Sequence, residues 1–193
     1  MKKIFFGLAI FASVLTLTSM APVPPVEGGL VKWMTFAEAV EKSKTEQRKL
    51  IIDVYTDWCG WCKVMDKKTF NDPEVAKLLN EKFYPVKLDA EQTADIEFRG
   101  TTYKFISQGR GGTHQLAAAL LNNQLSYPTV VFVEEDFKSV SPIPGFKGPE
   151  EFHKMLTYFE SGHYKRGEAG RQEFEKVYKS PYAVGASNAG GGK

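Results

Sequence analysis

Residues 50–70 read LIIDVYTDWCGWCKVMDKKTF and contain both cysteines of the 193-residue chain, Cys59 and Cys62. The run KLIIDVYT is short, apolar and rich in β-branched residues, which predicts a buried strand. From Cys59 to about Phe70 the apolar residues recur with helical spacing, and lysines occupy the other face. The two cysteines are therefore predicted to lie where a buried strand is followed by a helix.

A cysteine in the first turn of a helix is suited to redox chemistry. Unpaired backbone N–H groups and the helix dipole stabilise an anion there, and they lower the thiol pKa below its free value of about 8.5. The thiolate is the species that attacks a disulfide. Cys62 lies one turn further in, where it can attack a mixed disulfide on Cys59. The spacing thus predicts Cys59 as nucleophile and Cys62 as resolving thiol.

Two other uses of the cysteine pair are disfavoured but stay open. A structural zinc site needs four ligands, and the other candidates, His114, His153 and His163, have no paired spacing. A disulfide kept only for stability would close a very short loop and would constrain the unfolded chain little. No metal ligand is predicted.

Residues 1–21, MKKIFFGLAIFASVLTLTSMA, have the pattern of a secretory signal peptide: two lysines, an apolar run and a zone of small residues. The run is short for a membrane span, which needs roughly 20 apolar residues; an uncleaved anchor is the alternative. Residues 22–30 are rich in Pro and Gly and are predicted to be a linker. We therefore expect a periplasmic or otherwise exported protein.

The charge of the chain argues against two classes of partner. The formal net charge is +2, and Lys2 and Lys3 in the expected signal account for both charges. A near-neutral mature chain suggests neither a nucleic-acid partner nor an anionic membrane surface. The exported context permits structural disulfides, but the chain has no further cysteines with which to form them.

Local signals outline a domain over residues 31–163. Thr35 with Glu38 predicts one helix start, and Asp72 with Pro73 predicts another. FYPVKLDA and YPTVVFVEE are predicted strands, KSVSPIPGF is a poorer, edge-like strand because proline lacks a ladder donor, and GPEEFHKMLTYFESG is a helix. This order predicts an α/β fold with a central mixed sheet and helices on both faces.

The segment between the second strand and the next helix gives weaker signals. IEFRGTTYKFI is a candidate hairpin around Gly100, SQGRGG is predicted to be a loop, and Thr113 is predicted to cap a helix. Arg110 and His114 are expected at the surface.

Residues 164–193 are predicted to be a polar, partly disordered tail. Phe174, Val177 and Tyr178 allow one or two docked helical turns within it. The final GASNAGGGK has the composition of a disordered terminus.

DVYTDWCGWCK resembles the active site of the thioredoxin superfamily. The continuation TFNDPEVAKLL is especially similar to the periplasmic C-terminal domain of DsbD-type thiol:disulfide interchange proteins and related exported thioredoxin-like proteins. The resemblance covers about residues 31–160, with Asp53 six residues before Cys59 and Pro128 downstream. It implies the thioredoxin fold and an exported thiol–disulfide oxidoreductase that acts on protein substrates without a bound cofactor.

The resemblance also implies roles for single residues. Cys59 matches the nucleophile, Cys62 the resolving cysteine, and Asp53 the buried carboxylate that exchanges a proton with the resolving thiol. Pro128 matches the cis-proline that faces the disulfide, and the backbone of Tyr127 would pair with substrate like an added strand.

The residues around the cysteines complete the predicted substrate-binding set, Trp58, Gly60, Trp61, Tyr127 and Pro128. Trp58 matches the usual tryptophan, whereas Trp61 stands where ordinary thioredoxins carry proline. Trp58, Trp61 and Tyr127 are a candidate aromatic docking face. The lysine common on the strand after the second helix has no secure counterpart, although Lys87 is near. Residues 92–115 exceed what a minimal thioredoxin needs and are a candidate partner-recognition insert.

The net direction of exchange does not follow from these residues, because reductases, oxidases and isomerases use the same two sulfurs and the reduction potential decides among them. The expected partners are protein thiols or disulfides and an upstream electron donor or acceptor, and we expect a monomer because no dimerisation segment is evident. Two alternatives are a thioredoxin-like binding module with a stable disulfide and a specialised electron carrier for cytochrome or metal-centre assembly.

Overall fold

The computed structural model describes residues 29–183, which form both helices and strands. In chain order the elements are α1 (Phe36–Ser43), β1 (Leu50–Tyr55), α2 (Gly60–Lys68), α3 (Pro73–Lys82), β2 (Tyr84–Asp89), β3 (Ile96–Phe98), β4 (Thr101–Tyr103), β5 (Phe105–Gln108), β6 (Gly111–His114), α4 (Gln115–Leu120), β7 (Thr129–Val133), β8 (Val140–Pro144), α5 (Pro149–Glu160), a 3₁₀ turn (His163–Arg166) and α6 (Gly167–Val177). The expected signal peptide, most of the expected linker and the final GASNAGGGK lie outside the described residues.

The central sheet has the strand order β2-β1-β7-β8. β1 pairs with β2 in parallel and with β7 in antiparallel orientation, and β8 pairs with β7 in antiparallel orientation. The sheet is therefore mixed, as predicted. β8 forms an outer edge, where Pro142 and Pro144 leave fewer N–H donors for another strand.

The side chains of β1 alternate between two apolar layers. Leu50, Ile52 and Val54 pack with residues of α1 and α4 on one face. Ile51 packs on the opposite face with residues of α2, α3 and α5. Helices thus cover both faces, as predicted. Because successive side chains of a strand point to opposite faces, Asp53 shares the face of Ile51, which α2 covers.

The predicted helix starts at Thr35 and Asp72 are confirmed. The Thr35 hydroxyl accepts a hydrogen bond from the Glu38 amide, and the Glu38 carboxylate accepts one from the Thr35 amide at 2.7 Å. The Asp72 carboxylate caps α3, whose first residue is Pro73. These local contacts fix the residues at which α1 and α3 begin.

The segment between β2 and α4 forms two hairpins. β3 and β4 confirm the hairpin predicted around Gly100. The prediction that SQGRGG is a loop was wrong, because most of it belongs to β5 and β6, which pair antiparallel around Gly109. Gly112 allows this pairing, since a Cβ there would lie 2.2 Å from a ring atom of Phe105. Thr113 was also wrongly predicted as a helix cap: it lies within β6.

The chain after α5 is more helical than its composition suggested. α6 runs for 11 residues, which exceeds the one or two turns predicted. Phe174 is buried and its ring lies 5.0 Å from that of Tyr158 on α5, whereas Val177 is exposed. Further on, the Tyr182 hydroxyl donates to the Asp72 carboxylate at 2.5 Å. Within residues 29–183 no helix combines the length and apolarity that crossing a membrane requires.

Candidate active site

The two cysteines lie at the start of α2, directly after β1 and a short turn. Cys59 is the N-cap of α2, and its sulfur accepts a hydrogen bond from the Cys62 amide at 3.1 Å. The predicted position of Cys59 at a helix N-terminus is therefore confirmed. The two sulfurs are joined as a disulfide, with the Cα atoms 5.3 Å apart. Both side chains are buried, Cys62 slightly more than Cys59.

Asp53 forms an ion pair with Lys87 inside the protein. The two residues are register partners in the parallel pair of β1 and β2, and the Lys87 ammonium donates to Asp53 Oδ2 at 2.6 Å. This finding settles the uncertain register of Lys87. The same ammonium also donates to Asp66 on α2. Asp66 lies four residues after Cys62, on the same side of the helix, so Lys87 links β1 to the face of α2 that carries Cys62.

Burial dominates the ionisation of this cluster. It raises the pKa of Asp53, and the nearby positive charge of Lys87 offsets only part of that effect. The other carboxylate oxygen, Oδ1, has no hydrogen-bond partner within residues 29–183. For Lys87, burial works to lower the pKa, but the charges of Asp53 and Asp66 prevail and raise it. Asp53 is thus a carboxyl group that holds its proton more tightly than usual.

Three aromatic rings surround the ammonium of Lys87. Its Nζ lies 4.8 Å from the ring centroid of Tyr55, 5.0 Å from that of Trp33 and 5.3 Å from that of Phe70. At these distances the negative faces of aromatic rings attract a cation. The side chains of Lys87 and Asp53 are both largely buried beside these rings.

The segment that precedes β7 meets the cysteine segment through the contact of Tyr127 with Trp58. The peptide bond between Tyr127 and Pro128 is cis, as the resemblance implies. The Pro128 carbonyl accepts a hydrogen bond from Gly145 at 2.8 Å. Neither the N–H nor the C=O of Tyr127 has a backbone partner within residues 29–183. The N–H can donate a hydrogen bond to an extended peptide, and the C=O can accept one from it.

The candidate aromatic docking face is divided between two sides of the cysteines. Trp58 and Trp61 are 68% and 63% exposed. The Trp58 ring meets the Tyr127 ring edge-on at 5.9 Å, whereas Trp61 lies 5.6 Å from Phe146, which follows β8. Gly60 lies between the cysteines at the start of α2, and a side chain there would extend into open space.

Sequence reasoning missed three residues of this site. Asp66 and Glu91 are ordinary polar residues in the sequence, and the Trp58 indole N–H donates to Glu91 Oε1 at 3.0 Å. Phe146 stood in a predicted edge segment. Phe146 is partly buried against the core, and no local sequence signal marks it as part of the site.

The prediction that His114 lies at the surface was wrong, although Arg110 is exposed as expected. His114 is fully buried and is the N-cap of α4. Its Nδ1 accepts from the Leu116 amide at 3.2 Å, and its Nε2 donates to the Ala94 carbonyl at 3.1 Å. Each ring nitrogen of His114 thus has a hydrogen-bond partner, as a buried polar side chain requires.

Comparison with known proteins places the chain among thioredoxin-like families. Residues 26–141 match the model of the family described as Thioredox_DsbH, protein of unknown function DUF255. A thioredoxin-fold protein from Helicobacter pylori, of known structure, superposes with a TM-score of 0.52 at 15% identity, covering 67% of this chain and 81% of the other. The thioredoxin fold is therefore confirmed.

Two curated relatives are much longer than this chain. The uncharacterized protein B0495.5 of Caenorhabditis elegans is 26% identical over 147 residues, which are 74% of this chain and 18% of the relative. The thiol:disulfide interchange protein DsbD of Pectobacterium atrosepticum is 30% identical over 112 residues, which are 57% of this chain and 16% of the relative. The resemblance to DsbD-type proteins is confirmed, and the chain spans less than a fifth of either relative.

Proposed function

The chain belongs to the Thioredox_DsbH family of thioredoxin-like proteins, and from this premise we propose that it is an exported thiol–disulfide oxidoreductase that acts on protein substrates. Cys59 and Cys62 carry the two electrons of the exchange. The pattern of residues 1–21 is the support for export.

One observation carries the proposal: the Cys59 sulfur caps α2 and accepts a hydrogen bond from the Cys62 amide. The same N–H group and the helix dipole would stabilise a Cys59 thiolate once the disulfide is reduced. A sulfur kept only for stability has no need of this environment.

The exchange then proceeds in two balanced steps. The Cys59 thiolate attacks one sulfur of a substrate disulfide, a Cys59–substrate bond forms, and the other substrate sulfur leaves as a thiolate that takes up a proton. Cys62 loses its proton and attacks the Cys59 sulfur, which releases the second substrate thiolate. The protein ends as the disulfide and the substrate as the dithiol. The reverse sequence oxidises a substrate dithiol.

We assign Asp53 the role of accepting the proton from the Cys62 thiol and returning it, either directly or through water. Its raised pKa suits a carboxyl that both accepts and returns a proton. Lys87 holds the carboxylate in place through Oδ2, which leaves Oδ1 available for proton exchange.

Replacement of the resolving cysteine tests this proposal. A Cys62→Ser variant can complete only the first step, so we expect it to accumulate mixed disulfides with a disulfide-containing protein such as insulin. A Cys59→Ser variant is the matched control and should trap nothing. If neither variant forms mixed disulfides, and the unaltered reduced protein does not cleave insulin disulfides, the oxidoreductase assignment is wrong.

The reduction potential of the Cys59–Cys62 couple decides the net direction. It can be measured by equilibration with glutathione at known ratios of its reduced and oxidised forms. A strongly reducing value supports a reductase, and a high value supports an oxidase.

A further inference from the structure

Three carboxylates lie at or near the turn that precedes Cys59. Asp89 is the last residue of β2 and pairs with Tyr55, the last residue of β1. Asp57 lies two residues after Tyr55, in the turn that leads to Cys59. Glu91 follows Asp89 and its amide donates to Asp89 Oδ1 at 2.9 Å. Within residues 29–183, no lysine, arginine or histidine forms a salt bridge with Asp57, Asp89 or Glu91.

These carboxylates are joined to the exposed aromatic surface next to Cys59. Glu91 accepts the indole N–H of Trp58, and the Trp58 ring lies against Tyr127. Trp58 precedes Cys59 directly, and Tyr127 precedes the cis Pro128. The exposed indole, the carboxylates and the unpaired backbone of Tyr127 therefore form one continuous half of the site, which we call the Trp58 side.

The negative charges on the Trp58 side raise the pKa values of neighbouring groups. Burial raises the pKa of Asp89; the hydrogen bond from the Glu91 amide works against this rise, and the charges of Asp57 and Glu91 add to it. Burial and then the charges of Glu91 and Asp89 raise the pKa of Tyr127. A positive charge brought to this side would relieve the repulsion.

We propose that the protein substrate carries an arginine or lysine within about two residues of its reacting cysteine, and that Asp57 and Glu91 select it. This inference rests on the proposed function and names its substrate class. Asp57 is two residues from Cys59, and an extended peptide advances about 3.3 Å per residue, so a basic side chain near the substrate cysteine can reach it.

The chemistry of the Trp58 side favours this occupant over others. An arginine can stack on the exposed indole while its guanidinium pairs with a carboxylate. An acidic segment would meet unbalanced negative charge. A second copy of this chain, docked symmetrically through the Trp58 side, would bring the same carboxylates against themselves.

Three synthetic peptides test the inference with a direct optical signal. They are identical except for one residue next to the cysteine, which is Arg, Ala or Glu, and each cysteine is in a mixed disulfide with thionitrobenzoate. The Cys59 thiolate of the reduced protein attacks the peptide sulfur and releases coloured thionitrobenzoate. Cys62 then attacks Cys59 and displaces the peptide thiolate. The protein ends with the Cys59–Cys62 disulfide, and the peptide and thionitrobenzoate are both released as thiols.

We expect the Arg peptide to react about fivefold faster than the Glu peptide at low ionic strength. The interaction energy of two unit charges in contact in water corresponds to a rate ratio of about this size. Added salt should reduce the ratio. The double variant Asp57→Asn with Glu91→Gln should bring the ratio close to one. Glu160→Gln is the matched control, because Glu160 pairs with Lys82 near the opposite end of β1, and it should keep the ratio of the unaltered protein.

The outcomes separate this inference from the proposed function. Equal rates with all three peptides would overturn the charge selection and leave the oxidoreductase assignment standing. A preference that persists in the double variant would also overturn it, because the selecting charges would lie elsewhere. A complete lack of thionitrobenzoate release from every peptide would contradict both.

Discussion

Lys87 on β2 lies directly across from Asp53 on β1, and its ammonium donates to the buried carboxylate at 2.6 Å. The same ammonium reaches Asp66 on α2 and lies among three aromatic rings. The central sheet is thereby tied to the helix that carries both cysteines. The charge of Lys87 and the burial of Asp53 act in opposite directions on the Asp53 proton, and burial prevails.

Removal of Lys87 should destabilise the protein strongly at neutral pH. A Lys87→Met variant leaves the Asp53 carboxylate buried without its cation, and loss of one partner of a buried pair costs about 3–5 kcal/mol. Urea unfolding of the oxidised variant measures the loss. The double variant Lys87→Met with Asp53→Asn removes the stranded charge and should recover most of it. A double variant as unstable as Lys87→Met would show that the ion pair is not the cause.

Asp53 should make the oxidised protein less stable as pH rises. Its pKa in the unfolded chain is about 4, and burial raises the folded value. Between these two values the folded state binds more protons than the unfolded state, so the free energy of unfolding falls with increasing pH and levels off above the folded pKa. The free energy of unfolding is measured against pH for the unaltered protein and for Asp53→Asn, and the difference between the two curves isolates the contribution of Asp53.

A matched variant makes the Asp53 measurement decisive. Asp95→Asn removes an exposed carboxylate that pairs with Lys104, and it should leave the slope in place. If the curve of Asp53→Asn runs parallel to that of the unaltered protein, Asp53 does not have a raised pKa.

His114 should have the opposite effect on the pH dependence of stability. Its Nδ1 must stay unprotonated to cap α4, and burial lowers the pKa of the imidazole. Below the unfolded value of about 6.5 the unfolded state therefore binds more protons, and the free energy of unfolding falls as pH decreases. A His114→Asn variant keeps a capping side chain without an ionisable group, so its unfolding free energy should depend less on pH in this range.

The half-buried His163 provides the control for that experiment. A His163→Asn variant makes the same substitution away from the start of α4, so comparing it with His114→Asn shows whether a change in pH dependence is specific to His114. Equal pH dependence in His114→Asn and the unaltered protein would mean that the His114 imidazole does not titrate between the two states in this range.

The parts of the fold that short-range signals specify were predictable from the sequence. The capping pair Thr35 and Glu38 and the Asp72–Pro73 start each involve residues three or fewer apart, so one sequence contains the whole signal. Cys59 at a helix start is of the same kind, because the apolar strand before it and the helical spacing after it are both local.

The predictions that were wrong or left open concern contacts between residues that are distant in the sequence. The partnership of Lys87 and Asp53 depends on the register between β1 and β2, which are separated by two helices. SQGRGG has the composition of a loop, yet Gly112 lies in β6, where the Phe105 ring leaves no room for a side chain. His114 is polar, and its burial depends on hydrogen bonds to the distant Ala94 carbonyl and to the start of α4.

The reactivity of Cys59 tests the central claim most directly. The reduced protein is alkylated with iodoacetamide over a range of pH, and the rate at Cys59 is followed by mass spectrometry. We predict that Cys59 reacts well before Cys62, with a pKa clearly below the free-cysteine value of about 8.5. A Cys59 that reacts with the rate and pKa of free cysteine would contradict the claim that the start of α2 activates it.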